Sequence, residues 1–364
     1  LKLKSNSEFT QVYQEAKAIA PEAFGETAIN NLIDGEWVSI GVSQPHINPV
    51  DGQPIIGASM LNLTQVQHAV DQSVKQDAQW SKTPLEERKQ RVAHAVELLR
   101  ANRDTIARLI IWEIGKPWKL ACADVDRAIE GVEWYLGEID RQMTGRTPLP
   151  GPISNIASWN YPLSVLVHAE LVQLLAGNAV IAKTPTQGGF HALTLSHALM
   201  ARAGLPVTLL SGSGAELAPA LVSSDSLGAL AFVGGRNNGR AAASSLTSLA
   251  RRHILEQEGL NSWGVWNYSN WAELSAHLIK GFEYAKQRCT AYPRYVVQRQ
   301  LFPEFLEMYN AVLGSLKFGH PLAVEDPNDD YPDLHFGPVI SAKKAAELQQ
   351  AYTCLLYTSD AADE

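Results

Sequence analysis

The chain has 364 residues, of which 46% are hydrophobic and 19% charged, a balance typical of a folded protein with two or three domains. Thirty basic against 38 acidic residues give a net charge of −8, and Lys and Arg do not cluster, so no nucleic-acid partner is expected. The apolar runs are too short to span a bilayer, and three cysteines form neither a disulfide framework nor a zinc site. Since no signal peptide opens the chain, we expect a cytoplasmic enzyme without a membrane partner.

The N-terminal third predicts a hairpin followed by helices. Residues 31–37 predict two short strands joined by an Asp-Gly turn. Apolar residues at helical spacing predict a helix over 64–80, and further helices follow. Thr83, Pro84 and Glu86 have the order expected of a capping box at the start of the second of these helices.

From residue 151 the pattern changes to short apolar strands that alternate with helices. The predicted strands cover 153–158, 179–182, 207–210, 227–233 and 253–255. The helix before the last strand is predicted over 240–249. Alternation at this spacing predicts right-handed βαβ units and therefore a doubly wound parallel sheet of the α/β class. Such a sheet binds ligands beyond the carboxyl ends of its strands, where functional residues are expected.

Three side chains near these strand ends could carry chemistry. Cys289 follows Arg288, whose guanidinium would favour the reactive thiolate; the alternative is a small buried hydrophobic side chain. Glu256 follows the last predicted strand and could be a general base, with Glu258 as a rival, or a solvated loop acid. Asn160 follows the first strand and could donate to an oxyanion or cap the next helix.

Lys183 and a group of glycines could bind a nucleotide. Lys183 ends the second strand, where an ammonium group suits a ribose or a phosphate; the alternative is an exposed Lys at a strand end. Gly234, Gly235 and Gly239 lie between a strand and a helix, where backbone amides approach phosphate; the alternative is a tight turn. No H-E-x-x-H motif occurs and the ten histidines do not cluster, so no metal is expected.

The order and spacing of these residues resemble the aldehyde dehydrogenase superfamily. The motifs that carry the resemblance are Trp159-Asn-Tyr-Pro162, Ala182-Lys183, Phe232-Val-Gly-Gly235, Glu256 and Gln287-Arg-Cys-Thr-Ala291. Together with weaker motif matches before residue 159, the resemblance covers about residues 31–352. The resemblance implies oxidation of an aldehyde to a carboxylic acid with NAD or NADP, through a cysteine thiohemiacetal and thioester.

The resemblance also implies a role for each candidate residue. Cys289 would be the nucleophile, Asn160 would hold the oxyanion, and Glu256 would activate the water that hydrolyses the thioester. Lys183 would bind the adenosine ribose, and the turn from Gly234 to Gly239 would face the pyrophosphate. The other residues implied to contact the cofactor are Trp159, Thr186, Gly212 and Phe232.

Short motifs within the chain look most like the non-phosphorylating, NADP-dependent glyceraldehyde-3-phosphate dehydrogenases. This likeness implies a small phosphorylated or otherwise anionic aldehyde, held by Arg127, Tyr161 and Arg288. Thr186 stands where NAD-specific members carry Glu, so we expect NADP to be accepted at least as well as NAD. The intact protein would form a homodimer or a homotetramer.

Departures from the family pattern leave a second hypothesis open. Glu258 and Lys286 both stand where the family usually has Gly, and Gly235-Arg236 replaces the usual Ser-Thr of the phosphate turn. The alternative is a catalytically inactive nucleotide-binding relative, or an inactive fragment of an active enzyme.

The resemblance and the change of pattern after residue 256 together predict the domain organisation. The expected segments are the N-terminal hairpin and helices of the cofactor domain (1–136), a shortened bridging or oligomerisation segment (137–152), the NAD(P)-binding Rossmann-like domain (153–255), an incomplete catalytic domain (256–353) and a non-native tail (354–364). Because the catalytic domain would lack its later elements, we expect its strands to expose edges and apolar faces.

Overall fold

The computed structural model describes residues 2–246 and 252–360, with side chains up to residue 353. Its N-terminal part, up to residue 143, contains short strands and long helices. The strands are β1 (Lys2–Leu3), β2 (Ala28–Ile29), β3 (Asn31–Ile33), β4 (Glu36–Val38), β5 (Val42–Ile47) and β6 (Pro54–Met60). The helices are α1 (Phe9–Ile19), α2 (Leu63–Trp80), α3 (Leu85–Ala101), α4 (Arg103–Ile114) and α5 (Trp118–Met143).

The capping box occurs one helix earlier than predicted. Helix α3 begins directly after Pro84, which occupies the N-cap position with no side-chain cap, so the predicted box of Thr83 and Glu86 is wrong. Thr83 lies one residue too far upstream for its hydroxyl to serve as the cap. Helix α2 has the box instead, because the Asn62 side chain accepts from the Gln65 N–H at 3.0 Å and the Gln65 side chain accepts from the Asn62 N–H at 2.9 Å.

The predicted parallel sheet is confirmed. Its strands are β7 (Ile153–Ile156), β8 (Val180–Lys183), β9 (Val207–Leu210), β10 (Ala229–Val233) and β11 (Arg252–Glu256). The intervening helices are α6 (His168–Ala176), α7 (Phe190–Arg202), α8 (Gly214–Leu221) and α9 (Arg236–Ser245), and a π-helical turn over Pro162–Val167 leads into α6. The part of the predicted fourth helix at 247–249 lies outside the described residues.

The sheet has the strand order β11-β10-β7-β8-β9-β3-β4. The first five strands are mutually parallel, and the predicted hairpin of β3 and β4 adds to β9 in the antiparallel sense. The hairpin turns at Asp34 and Gly35, both with positive φ, as its two-residue turn requires. Strand β8 is buried along its whole length, because helices cover both faces of the sheet. This mixed α/β architecture brings the carboxyl ends of β7, β8, β10 and β11 to one edge.

The remaining elements are β12 (Ser262–Val265), α10 (Trp271–Phe282), β13 (Arg294–Val297), α11 (Phe302–Ser315), β14 (Ala323–Val324) and α12 (Ala342–Asp360). Of these, β12, β13, α10 and α11 form a smaller layer with its own core, whereas β14 pairs with β1 in the antiparallel sense. Strands β12 and β13 pair in parallel, and Val265, Leu278 and Phe305 are among the buried residues beside them. Large apolar side chains stay exposed here, as expected: Trp266 is 72% exposed and Phe318 70%. None of the helices described is both long and apolar enough to cross a membrane.

Candidate active site

A cavity of about 660 Å³ lies at the carboxyl ends of the parallel strands. It contains most of the residues that the sequence assigned to a cofactor. Those among its lining residues are Trp159, Lys183, Thr186, Phe232, Gly234 and Gly235. The N-terminus of α9 also faces the cavity, through Gly235 and Asn238. Because the N-cap residue is Gly235, no side chain caps the first backbone N–H groups of this helix. Free backbone N–H groups at a helix N-terminus favour an anion, so this wall suits a pyrophosphate.

Gly212 and Gly239 are not among the residues that line this cavity. A Cβ on Gly212 would come within 2.5 Å of the Leu217 side chain. A Cβ on Gly239 would come within 2.8 Å of the Gln257 side chain. Close packing against Leu217 requires glycine at position 212, whereas at position 239 the neighbour is the movable end of a Gln side chain.

Lys183 is an almost fully buried cation at the end of β8. Its side chain lines the cavity, the residue is 5% exposed, and Nζ donates to the Thr184 carbonyl oxygen at 2.7 Å. Burial lowers the pKa of Lys183 to about 8, and no carboxylate pairs with it among the residues that the structure describes. A buried ammonium group without a counterion fits a ligand that brings negative charge.

Cys289 and Glu256 meet at the β11 end of this edge. Glu256 is the last residue of β11, and its carboxylate is close enough for its charge to act on the Cys289 thiol, whereas Glu258 has no such effect on Cys289. Burial raises the pKa of Cys289, and the charge of Glu256 raises it further. The prediction that Arg288 would favour the thiolate is therefore wrong, because the Arg288 guanidinium turns away from the sulfur and donates to the Lys280 carbonyl oxygen.

Asn160 lies against the same loop. Its amide Nδ2 donates to the Gln287 carbonyl oxygen at 2.9 Å, two residues before Cys289. The Ser158 hydroxyl donates to Asn160 Oδ1 at 2.6 Å, and this bond fixes which end of the amide faces the cysteine loop. Asn160 does not cap the following helix, whose N-cap position is held by Tyr161. One N–H of the amide is left over for a ligand beside Cys289.

Two arginines and a tyrosine converge near this loop. Arg127 is exposed, whereas the Arg288 side chain is only 12% exposed and lies 3.9 Å from the Glu283 carboxylate. Burial raises the pKa of Tyr161, and the positive charges of Arg288 and Arg127 partly offset this rise. The charges of both guanidinium groups thus act on Tyr161 in the same direction. Arg127 has no hydrogen-bond partner among the described residues, so it is the arginine more available to a ligand.

Comparison with known proteins identifies the family. The model described as the aldehyde dehydrogenase family matches residues 37–355. The chain belongs to this family. It is 29% identical over 327 residues to the NADP-dependent glyceraldehyde-3-phosphate dehydrogenase of Pisum sativum, covering 82% of this chain and 64% of that protein. Identity to the enzyme of the same name from Apium graveolens is 30%, with the same coverage.

Solved structures of the family share the fold. The NADP-dependent glyceraldehyde-3-phosphate dehydrogenase of Bacillus halodurans C-125, complexed with NADP, matches with a TM-score of 0.79 and 24% identity, over 89% of this chain and 70% of that one. A 1-pyrroline-5-carboxylate dehydrogenase from Thermus with bound NAD matches with a TM-score of 0.78 and 23% identity, over 94% of this chain and 70% of that one. The chain is shorter than these relatives and spans about 64% of the Pisum sativum protein.

A buried ion pair that the sequence analysis did not find supports the loop that carries Asn160. Lys116 Nζ is fully buried, lies 3.2 Å from an Asp124 carboxylate oxygen and donates to the Asn160 carbonyl oxygen at 2.7 Å. It also lies 3.9 Å from the centre of the Tyr161 ring and 4.9 Å from that of Tyr284. The ammonium group is thus held by a carboxylate, a carbonyl and two aromatic faces, which fixes the backbone at Asn160.

The backbone before Cys289 is strained and closely packed. Residues 284–286 all have positive φ, although none of them is glycine. A Cβ on Gly259 would come within 1.9 Å of the Cys289 carbonyl oxygen, so only glycine fits there. Asn261 Nδ2 donates to the Cys289 carbonyl at 2.5 Å and to the Ala291 carbonyl at 3.0 Å. Asn261 therefore anchors the cysteine loop, and its place shortly after Glu256 was the only sequence signal for it.

Proposed function

We propose that the protein oxidises an aldehyde to a carboxylic acid with NADP⁺ or NAD⁺, through a thioester on Cys289. The observation that carries this proposal is the meeting of three groups at one edge of the sheet: the Cys289 thiol, the Glu256 carboxylate and the Asn160 amide. Membership of the aldehyde dehydrogenase family supports it.

The first step is attack by sulfur on the aldehyde carbon. Burial and the charge of Glu256 raise the pKa of Cys289, so the attacking form is the thiolate fraction whose proton has passed to solvent, and Glu256 stays ionised for the later hydrolysis step. A C–S bond then forms, and the carbonyl π electrons move to oxygen. The free N–H of the Asn160 amide and the Cys289 backbone N–H are the donors proposed for this oxyanion.

The second half of the reaction oxidises and releases the acyl group. A bound nicotinamide cofactor supplies the acceptor for the hydride that leaves the former carbonyl carbon. Loss of this hydride re-forms the C=O bond and leaves a thioester on Cys289. Glu256 then takes a proton from water as its oxygen attacks the thioester, the C–S bond breaks, and the carboxylic acid and the cysteine sulfur are released.

The residues of the cavity fit such a cofactor. Lys183 offers a buried cation without a counterion, and the α9 N-terminus at Gly235 offers free backbone N–H groups. Thr186 lines the cavity without a carboxylate that would repel a 2′-phosphate. These features support binding of NADP at least as well as NAD.

The convergence of two arginines supports an anionic aldehyde as substrate. Arg127 is available to a ligand, whereas Arg288 is already bonded to the protein, so the two contribute unequally. Relatives named for glyceraldehyde 3-phosphate agree with this charge preference.

A comparison of substrates tests this proposal. We expect a higher kcat/KM for glyceraldehyde 3-phosphate than for glyceraldehyde, and a loss of most of this preference in Arg127→Gln. Arg146→Gln, on the loop after α5, is the charge-matched control. Equal kcat/KM for the two aldehydes in the parent protein would exclude an anion pocket.

A second candidate function is nucleotide binding without turnover. It is favoured by the exposed apolar side chains of the layer that carries Cys289, where Leu260 is 71% exposed and Val296 53%. A misplacement of the thiol by about 1 Å can slow the reaction on the order of 10²-fold. NADP⁺ binding without any acyl transfer to Cys289 would favour this second function.

A further inference from the structure

The charges that line the cavity are unevenly distributed. The ionisable side chains in its lining are Lys183, Glu258, Lys344 and Glu347. Lys344 and Glu347 lie one helical turn apart on α12 with their charged groups 3.4 Å apart, so their charges largely offset each other. Lys183 and Glu258 have no ion-pair partner within the described parts of the chain. The lining therefore carries one uncompensated cation and one uncompensated anion.

These two charges lie at opposite ends of the cavity. Lys183 is the last residue of β8, and Glu258 follows the last residue of β11 by two positions. The strand order β11-β10-β7-β8 separates the two strand ends by three spacings. Since neighbouring strands lie about 4.8 Å apart, the two ends are about 14 Å apart. The cavity is thus positive at its β8 end and negative at its β11 end.

The reacting end of the cavity is the β11 end, an assignment that rests on the proposed function. Glu258 and Gln287, each two residues from Glu256 and Cys289 respectively, line this end of the cavity, so the hydride acceptor must also lie there. An oxidised nicotinamide ring carries a positive charge, whereas the reduced ring is neutral. The two forms of the cofactor carry the same phosphates, so they differ in charge only at this end.

We propose that Glu258 makes the cavity discriminate between the two redox forms of its cofactor, holding the oxidised form more tightly than the reduced one. Its carboxylate attracts the oxidised ring and has no such effect on the reduced ring. Glu256 lies at the same end, but it is not among the residues that line the cavity, whereas Glu258 is. Glu258 therefore favours release of the reduced product, and it does so from a position where the family resemblance predicts Gly.

Binding measured by calorimetry tests the proposal without requiring turnover. The ratio of the Kd for NADPH to the Kd for NADP⁺ is compared in the parent protein, in Glu258→Gln and in Glu97→Gln. Glu97 is the control because it loses the same charge from the exposed surface of α3, where its side chain is 79% exposed. We expect Glu258→Gln to lower the ratio about threefold to fivefold, as is typical of one solvated charge pair.

Two further comparisons strengthen the test. The effect of Glu258→Gln should shrink as salt is added, because screening weakens the attraction to the oxidised ring. Glu258→Lys should lower the ratio further, since it replaces attraction with repulsion. A ratio unchanged in both Glu258 variants, while the parent binds both nucleotides, would overturn this inference alone. Failure of the parent to bind either nucleotide would overturn it together with the proposed function.

Discussion

Replacing Lys183 with Met should make the ligand-free protein more stable and its cofactor binding weaker. Burial lowers the pKa of Lys183 to about 8 from its ordinary value of 10.5. A fall of this size corresponds to a cost of about 3 kcal/mol for keeping the ammonium group charged at neutral pH. Removing Lys183 also removes its hydrogen bond to the Thr184 carbonyl, which offsets about 1.5 kcal/mol of the stability gained by removing the buried charge. The net gain in the free energy of unfolding at neutral pH is therefore about 1–2 kcal/mol.

The pH dependence of this gain identifies its cause. The folded-state pKa of Lys183 lies below its unfolded value, so the unfolded chain binds more protons between these two values. The stability of the parent protein therefore rises with pH through this window, while Lys183→Met has no such group. The advantage of Lys183→Met should shrink by about 2 kcal/mol between about pH 7 and about pH 9.5.

Urea unfolding at the two pH values measures this difference, and NADP⁺ titration measures binding. Lys82→Met, at an exposed position between α2 and α3, is the matched control and should show neither effect. Loss of a charge-assisted contact to the cofactor should raise the Kd for NADP⁺ about 10-fold or more in Lys183→Met. A variant that is less stable than the parent at neutral pH, or one that binds NADP⁺ as tightly, would refute this reasoning.

Three other outcomes are expected. Lys116→Met should lower the free energy of unfolding by about 3–5 kcal/mol because it leaves the Asp124 carboxylate buried and unpaired, and adding Asp124→Asn should recover part of this loss in urea melts. An unchanged urea midpoint in Lys116→Met would contradict the buried pair. Thr186→Glu should shift the ratio of the two Kd values toward NAD⁺ and away from NADP⁺; a constant ratio would mean that Thr186 does not face the ribose. Glu256→Gln should speed labelling of Cys289 by iodoacetamide at neutral pH, since loss of the carboxylate lowers the pKa of the thiol, and slower labelling would show that Glu256 has the opposite effect.

The sheet and the residues at its strand ends could be predicted from local patterns. Short apolar runs between turn residues predicted β7 to β10, because strands that are buried on both faces have few polar residues, and the half-exposed edge strand β11 followed from the same alternation. A parallel sheet collects the carboxyl ends of such strands at one edge, so Asn160, Lys183 and Glu256 could be assigned to it. The helix cap at Thr83 failed because a one-residue shift of the helix start moves the cap to another side chain.

The rest depends on contacts between residues far apart in the chain. The ion pair of Lys116 and Asp124 acts on Asn160, which lies 44 residues after Lys116. The direction of the Arg288 side chain was decided by the Lys280 carbonyl rather than by the neighbouring Cys289. Gly239 has a partner 18 positions away in Gln257. No local pattern encodes such contacts, so they could be found only once the chain was folded.

Trapping of the acyl group tests the proposed chemistry at Cys289. Glu256→Gln is incubated with glyceraldehyde 3-phosphate and NADP⁺, and the modified peptide is then located by mass spectrometry. Hydrolysis needs the Glu256 base, so the thioester formed in the first half-reaction accumulates in Glu256→Gln. Even slow formation of the thioester then becomes detectable. We expect a thioester on Cys289 that requires NADP⁺ and is absent from Cys289→Ala. An unmodified Cys289, or an acyl group on another residue, would contradict it.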